Sequence, residues 1–210
     1  MRMLEMLLEH LAMVGVAMAL SISVALPLSL IIYRRERLGT AVMGVLGIFY
    51  TIPSIALIIL LIPVFGLNAT SVVAALVIYT QVILVRNFTT GLNVVDPAVL
   101  EAARGMGMGP LTIWWRVQLP LALPVMLAGV RIATIVAIAI GTVGARFGAG
   151  GLGTVLFEGV TQSGRYDKIA AGAIVVSLMA LVFNGGIKYL ERVLDRPARF
   201  ATTDSPPCEG

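Results

Sequence analysis

Five long apolar runs leave this chain few possible folds: residues 11–33, 41–62, 71–88, 121–143 and 169–190. A helix needs roughly 20 mainly apolar residues to cross the hydrocarbon core of a bilayer. None of the five alternates with the period of a strand, and lipid admits only helices or closed barrels. The expectation is an all-α integral membrane protein. Composition agrees: 59% of residues are hydrophobic and only 12% charged, against about 45–50% and about 25% in soluble domains. The 210 residues suit one unit, a membrane domain over 1–196 with a polar tail at 197–210. Cys208 stands alone in that tail, so no intrachain disulfide is available. The N-terminus does not read as a cleaved signal, because Glu5 and Glu9 accompany Arg2 and the apolar run is too long. The first run is expected to persist as a helix.

Lys and Arg set the orientation. Five spans put the termini on opposite sides. With the N-terminus outside, the inner segments hold Arg34, Arg35, Arg37, Arg86, Arg104, Arg116, Lys188, Arg192, Arg196 and Arg199. The outer segments hold only Arg2, Arg146, Arg165 and Lys168. Basic residues collect on the cytoplasmic side, so N-out, C-in is expected, with 89–120 cytoplasmic and 144–168 outside. The same rule accounts for the net charge of +4 without nucleic acid as a partner.

The inner loop 89–120 is neither short nor simply polar. Asp96-Pro97 reads as a helix start, since Asp accepts from free backbone N–H groups and Pro suits the first helical position. Helix 97–104 then meets Gly105, Gly107 and Gly109, and Pro110 opens a second short helix over 111–118. Small Ala102 and Ala103 admit a close neighbour, and Glu101 offers a charge to a basic partner. A docking loop for a soluble motor has these features. So does a surface helix that merely joins two spans.

Here the residues match a family. Glu101-Ala102-Ala103, three residues, Gly107, nine residues, Val117, one residue, then Leu119-Pro120 resembles the EAA motif of ABC importer permeases. Only Val117, in place of Ile, departs from it. Tyr50-Thr51-Ile52-Pro53-Ser54, Leu119–Pro124, Ala128-Gly129-Val130-Arg131 and Gly148–Gly153 are similar to the osmoprotectant permeases of glycine betaine, carnitine and choline importers. The likeness runs from about Leu11 to Arg196. Methionine-type permeases share the five-span layout and both motifs, and remain the alternative. The resemblance implies a type I ABC importer permease fold in the inner membrane. It implies that Glu101, Ala102, Ala103, Gly107, Val117, Leu119 and Pro120 couple this chain to an ATPase.

No phosphate-binding loop of the Gly-x-x-x-x-Gly-Lys-Ser/Thr type is present. The run 148–153 lacks the Lys and is expected to turn sharply or approach another helix. The chain is therefore expected to be no enzyme and to bind no cofactor or metal, with ATP and Mg held by a separate ATPase. The expected partners are two ATPase subunits, a second permease copy or sibling, a separate solute-binding protein, and membrane lipid.

Candidates for the solute route are Tyr50, Thr51, Pro53 and Ser54, which interrupt the second run, then Tyr79, Gln81 and Arg131. Broken helices line transport routes, and aromatic faces attract quaternary ammonium groups. A Pro kink repaired by Thr and Ser is equally ordinary in a membrane helix. Arg131 either lines the route or a dimer interface, or caps carbonyls freed by Pro120 and Pro124. His10 is isolated and gives no reason to expect metal or acid–base chemistry. An ion-gradient carrier is the remaining alternative. It would want acidic residues inside the membrane, whereas all Asp and Glu fall outside the five runs or at their ends.

Overall fold

A computed structural model describes residues 2–162 and 165–195, which leaves the tail 197–210 with Cys208 outside the described residues. Every regular element among them is helical. Helix α1 is Arg2–Ile32, α2 Glu36–Thr51, α3 Ser54–Phe65, α4 Ala69–Val94, α5 Pro97–Gly105, α6 Pro110–Ile113, α7 Leu119–Gly144, α8 Gly153–Thr161 and α9 Tyr166–Asp195. Four helices are long and apolar enough to cross a membrane, or five if the bent pair α2–α3 counts as one span.

The apolar runs appear where expected, but their ends move. The first helix starts nine residues before 11, so Glu5 and Glu9 belong to it. The third extends to Val94, past Arg86. The second is not one helix: α2 and α3 meet at 94°. The cause is local. Pro53 has no N–H and pushes the preceding residue out of helical geometry, and Ile52 is extended, with φ −67° and ψ 127°.

The loop also differs from expectation. The segment 111–118 is not a separate short helix but the first turns of a continuous helical stretch, Pro110–Phe147. Between α6 and α7 the chain widens into a π-helical turn, Trp114–Gln118, where the Leu119 N–H donates to the Trp114 carbonyl. Pro120 would break an α-helix here, because it donates no hydrogen bond and its ring collides with the carbonyl four residues back. The π turn realigns the carbonyls around it, so the helix survives.

Helix α4 sits at the centre, buried on most of its surface between α1, α7 and α3, whereas α9 is the most exposed span. Inside a membrane no hydrophobic force drives helices together, so close packing and hydrogen bonds do. Both occur. Along α4 and α7, Gly91 lies under the Ala122 carbonyl, Gly129 against Asn87 and Gly144 against Val72, with no room for a Cβ. Between α1 and α4, the Thr80 hydroxyl donates to Ser21 Oγ at 2.7 Å, and Gln81 Nε2 donates to the Ser21 carbonyl at 3.2 Å.

Candidate functional site

The loop that carries the Glu101–Pro120 motif is built from its ends inward. The Asp96 carboxylate accepts from the Ala98 N–H at 2.8 Å and Pro97 opens α5, as its sequence predicts. The far end closes in a Schellman cap. The Met108 N–H donates to the Ala103 carbonyl at 3.2 Å, and the Gly107 N–H to the Arg104 carbonyl at 2.9 Å. This cap requires a left-handed residue at its pivot, and Gly107 supplies it with φ +78°. The glycine of the motif is thus a helix terminator. A Cβ there would meet nothing within 4 Å, so its backbone angle, not crowding, demands glycine.

The cap and the packing divide the motif between two faces. Leu100 and Ala103 are buried against the helical body, while Glu101 and Ala102 are exposed. The two alanines therefore do different work. Ala103 lets α5 lie close on its own protein, and Ala102 leaves a flat exposed surface beside the Glu101 carboxylate. Met106 and Leu111, 73% and 72% exposed, flank that surface. Val117 and Leu119 are half-buried and Pro120 exposed, at the root of α7. Two adjoining cavities of about 440 and 390 Å³ lie between α5 and the end of α1.

The route candidates scatter. Tyr50 and Tyr79 come together at the α2–α3 bend, ring centroids 5.6 Å apart. Tyr50 is exposed and Tyr79 buried. The Thr51 hydroxyl donates to the Ile48 carbonyl at 2.7 Å, which repairs the end of α2, while Pro53 caps α3 and Ser54 begins it. Gln81 faces α1, and its Nε2 is spent on the Ser21 carbonyl. Arg131 makes no hydrogen bond to a carbonyl among the described residues. Its Nε lies 3.5 Å from Glu191 Oε2 on α9, without hydrogen-bond geometry. Side chains tilt toward the N-terminus of their own helix, so in the antiparallel pair α7–α9 these two reach toward each other.

Sequence reasoning missed three residues. Glu191 lay one position past the expected fifth run, yet a lone membrane arginine calls for a partner, and Glu191 is the first acid beyond that run. Glu9 accepts from the Gly151 N–H at 3.0 Å and ties α1 to the glycine run. His10 is fully buried beneath Gly151 and Gly141. The Ile138 carbonyl faces its ring without forming a hydrogen bond of normal geometry. Gly148, Gly150 and Gly151 all have positive φ, so that run both turns and approaches α1, the two uses its composition suggested. Among the described residues no group of three His, Cys, Asp or Glu is placed to hold a metal.

Known proteins match this arrangement. A family model described as "Binding-protein-dependent transport system inner membrane component" matches residues 15–196. The osmoprotectant import permease protein OsmW of Salmonella typhimurium is 38% identical over 194 residues, covering 89% of this chain and 88% of that protein. The glycine betaine/carnitine/choline transport system permease protein OpuCD of Bacillus subtilis is 38% identical over 171 residues, covering 81% and 75%. A chain from inward-facing structures of the MetNI methionine ABC transporter superposes with a TM-score of 0.81 at 22% identity, covering 92% of this chain and 96% of that one, which shows a shared fold. The chain belongs to the family of binding-protein-dependent transport system inner membrane components, and is a multi-pass permease subunit whose ATPase and solute-binding protein are separate partners.

Proposed function

We propose that this chain forms the translocation path for a small osmoprotectant such as a betaine, choline or carnitine. It works as one of two permease subunits, a second copy or a sibling, on two ATPase chains that bind ATP and Mg. The observation that carries the substrate class is the 38% identity, over most of both chains, to an osmoprotectant permease. The likeness to the methionine transporter, at 22% identity, concerns fold alone. The α2–α3 break suits the same chemistry. Its half-helix α3 starts beside the Tyr50–Tyr79 pair. Aromatic faces attract a quaternary ammonium group, and the N-terminal end of a broken helix favours a carboxylate. A betaine carries both charges.

Uptake in cells holding the whole system is expected for at least one of glycine betaine, choline and carnitine, and not for methionine. Uptake of methionine alone would move the chain to the neighbouring substrate class.

The coupling face of α5 points to the cytoplasm in this reading, with the N-terminus outside. The pairing of charges supports it. On the outer side Arg165 donates to Asp167 at 2.7 Å and Lys168 lies 3.4 Å from Glu158. Arg34 and Arg104, on the inner side, make no ion pair among the described residues, which leaves their charge free to hold this side in the cytoplasm. With Cys208→Ser as background, an impermeant thiol reagent on whole cells is expected to label Tyr166→Cys, a site 81% exposed. It should spare Ala98→Cys until the cells are opened. The reverse pattern would invert the orientation.

A further inference from the structure

We propose that the cavities between α5 and the end of α1 hold a phosphate group, supplied by an anionic phospholipid of the inner leaflet. The two cavities, of about 440 and 390 Å³, fall within the range of about 300–1,000 Å³ usual for small-ligand sites. Both are lined by Arg34 and Arg104, two exposed guanidiniums without an ion-pair partner among the described residues. Arg34 is held over the Tyr33 ring, its Cζ 5.2 Å from the centroid, which limits the rotamers it must give up on binding. Gln118, 6% exposed, lines the second cavity, and its buried Nε2 has no acceptor. A buried donor without a partner costs free energy, and a phosphate oxygen is an acceptor that would relieve it. Glu101 lines the first cavity, so the second, which no carboxylate lines, suits the anion better.

The walls favour a lipid over a soluble anion. Ile113, Met108, Pro110 and Trp114 line the second cavity beside Arg34, Arg104 and Gln118, so apolar and cationic groups share one site. Trp115, 60% exposed, follows directly, and tryptophan concentrates at the headgroup level. Basic pockets between helices on the cytoplasmic side recognise lipid headgroups by this combination. The site joins α1 to the docking helix, so an occupied cavity braces α5 against the body that it must move.

The proposal rests on the orientation given above, but lipid retention is measured in detergent, where orientation plays no part, so the two can fail separately. The permease–ATPase complex is purified from membranes of mixed phosphatidylcholine and phosphatidylglycerol, and the retained lipid is measured by native mass spectrometry. The wild type is expected to keep phosphatidylglycerol selectively. Arg34→Gln with Arg104→Gln is expected to weaken that retention roughly 30-fold, from the usual contribution of each basic residue near an anionic surface. Gln118→Leu should weaken it less, and Arg34→Lys with Arg104→Lys should largely keep it. Membrane abundance and ATPase copurification, measured alongside, are expected to be unchanged. Equal retention by the wild type and the Gln variants would overturn the proposal. Displacement of the lipid by millimolar inorganic phosphate would overturn the lipid as the source and leave a soluble phosphate.

Discussion

Replacing Glu101 by Lys is expected to reduce uptake by roughly 100-fold while the protein stays at normal abundance in the membrane. A like-charge contact at an interface costs several kcal/mol, and Glu101 is proposed to meet a basic group of the ATPase. The change should cost the fold little. Glu101 is exposed on α5, and surface substitutions away from special features usually stay within about 0.5 kcal/mol. Gly107 provides a separate test of the same surface. Gly107→Leu should abolish uptake because a left-handed leucine costs about 1–2 kcal/mol, enough to unwind the cap and turn the exposed face of α5 away. Gly107→Asn should keep most uptake, since Asn tolerates that conformation and the space around it is open. Transport, membrane abundance and ATPase copurification are measured together. Normal transport with bound ATPase in both Glu101→Lys and Gly107→Leu would refute the coupling assignment. Loss of both proteins from the membrane would make the loop structural.

Removing Glu191 alone should destabilise the protein, and removing Arg131 with it should restore much of what was lost. Breaking a buried ion pair at one end costs about 3–5 kcal/mol, whereas replacing both partners by apolar residues is often neutral. The Arg131 and Glu191 side chains are 28% and 16% exposed, so about half of that cost is expected for Glu191→Leu. Thermal unfolding in detergent should rank Glu191→Leu below Arg131→Met/Glu191→Leu. Uptake by the double variant then separates the two roles open for Arg131. A stable double variant that transports normally makes the pair a brace between α7 and α9. A stable one that has lost a zwitterionic substrate, yet still carries choline, places Arg131 at a carboxylate. If the single variant is as stable as the wild type, the pair carries no weight in the fold.

Sequence alone determined the features that depend on local chemistry or on the solvent. The apolar runs announce a membrane helix protein because no other solvent accepts them. Asp96-Pro97 announces the start of α5 and Gly107 its end, because capping involves residues within a few positions of one another. The break at Tyr50–Ser54 is local too, since Pro53 acts on its own neighbours. What such rules leave open is anything that depends on where two distant segments meet. The 94° angle of the bend follows from how α3 packs on α4, and with it comes the meeting of Tyr50 with Tyr79. That Ala103 is buried while Ala102 is free depends on which side of α5 rests on the body. The partner of Arg131 came from α9, and Glu9 and His10 found the glycine run far along the chain. Gln81 shows the same division. In the sequence it is a polar residue inside an apolar run and a candidate for the solute route, and only the packing of α4 on α1 decided that its Nε2 donates to the Ser21 carbonyl.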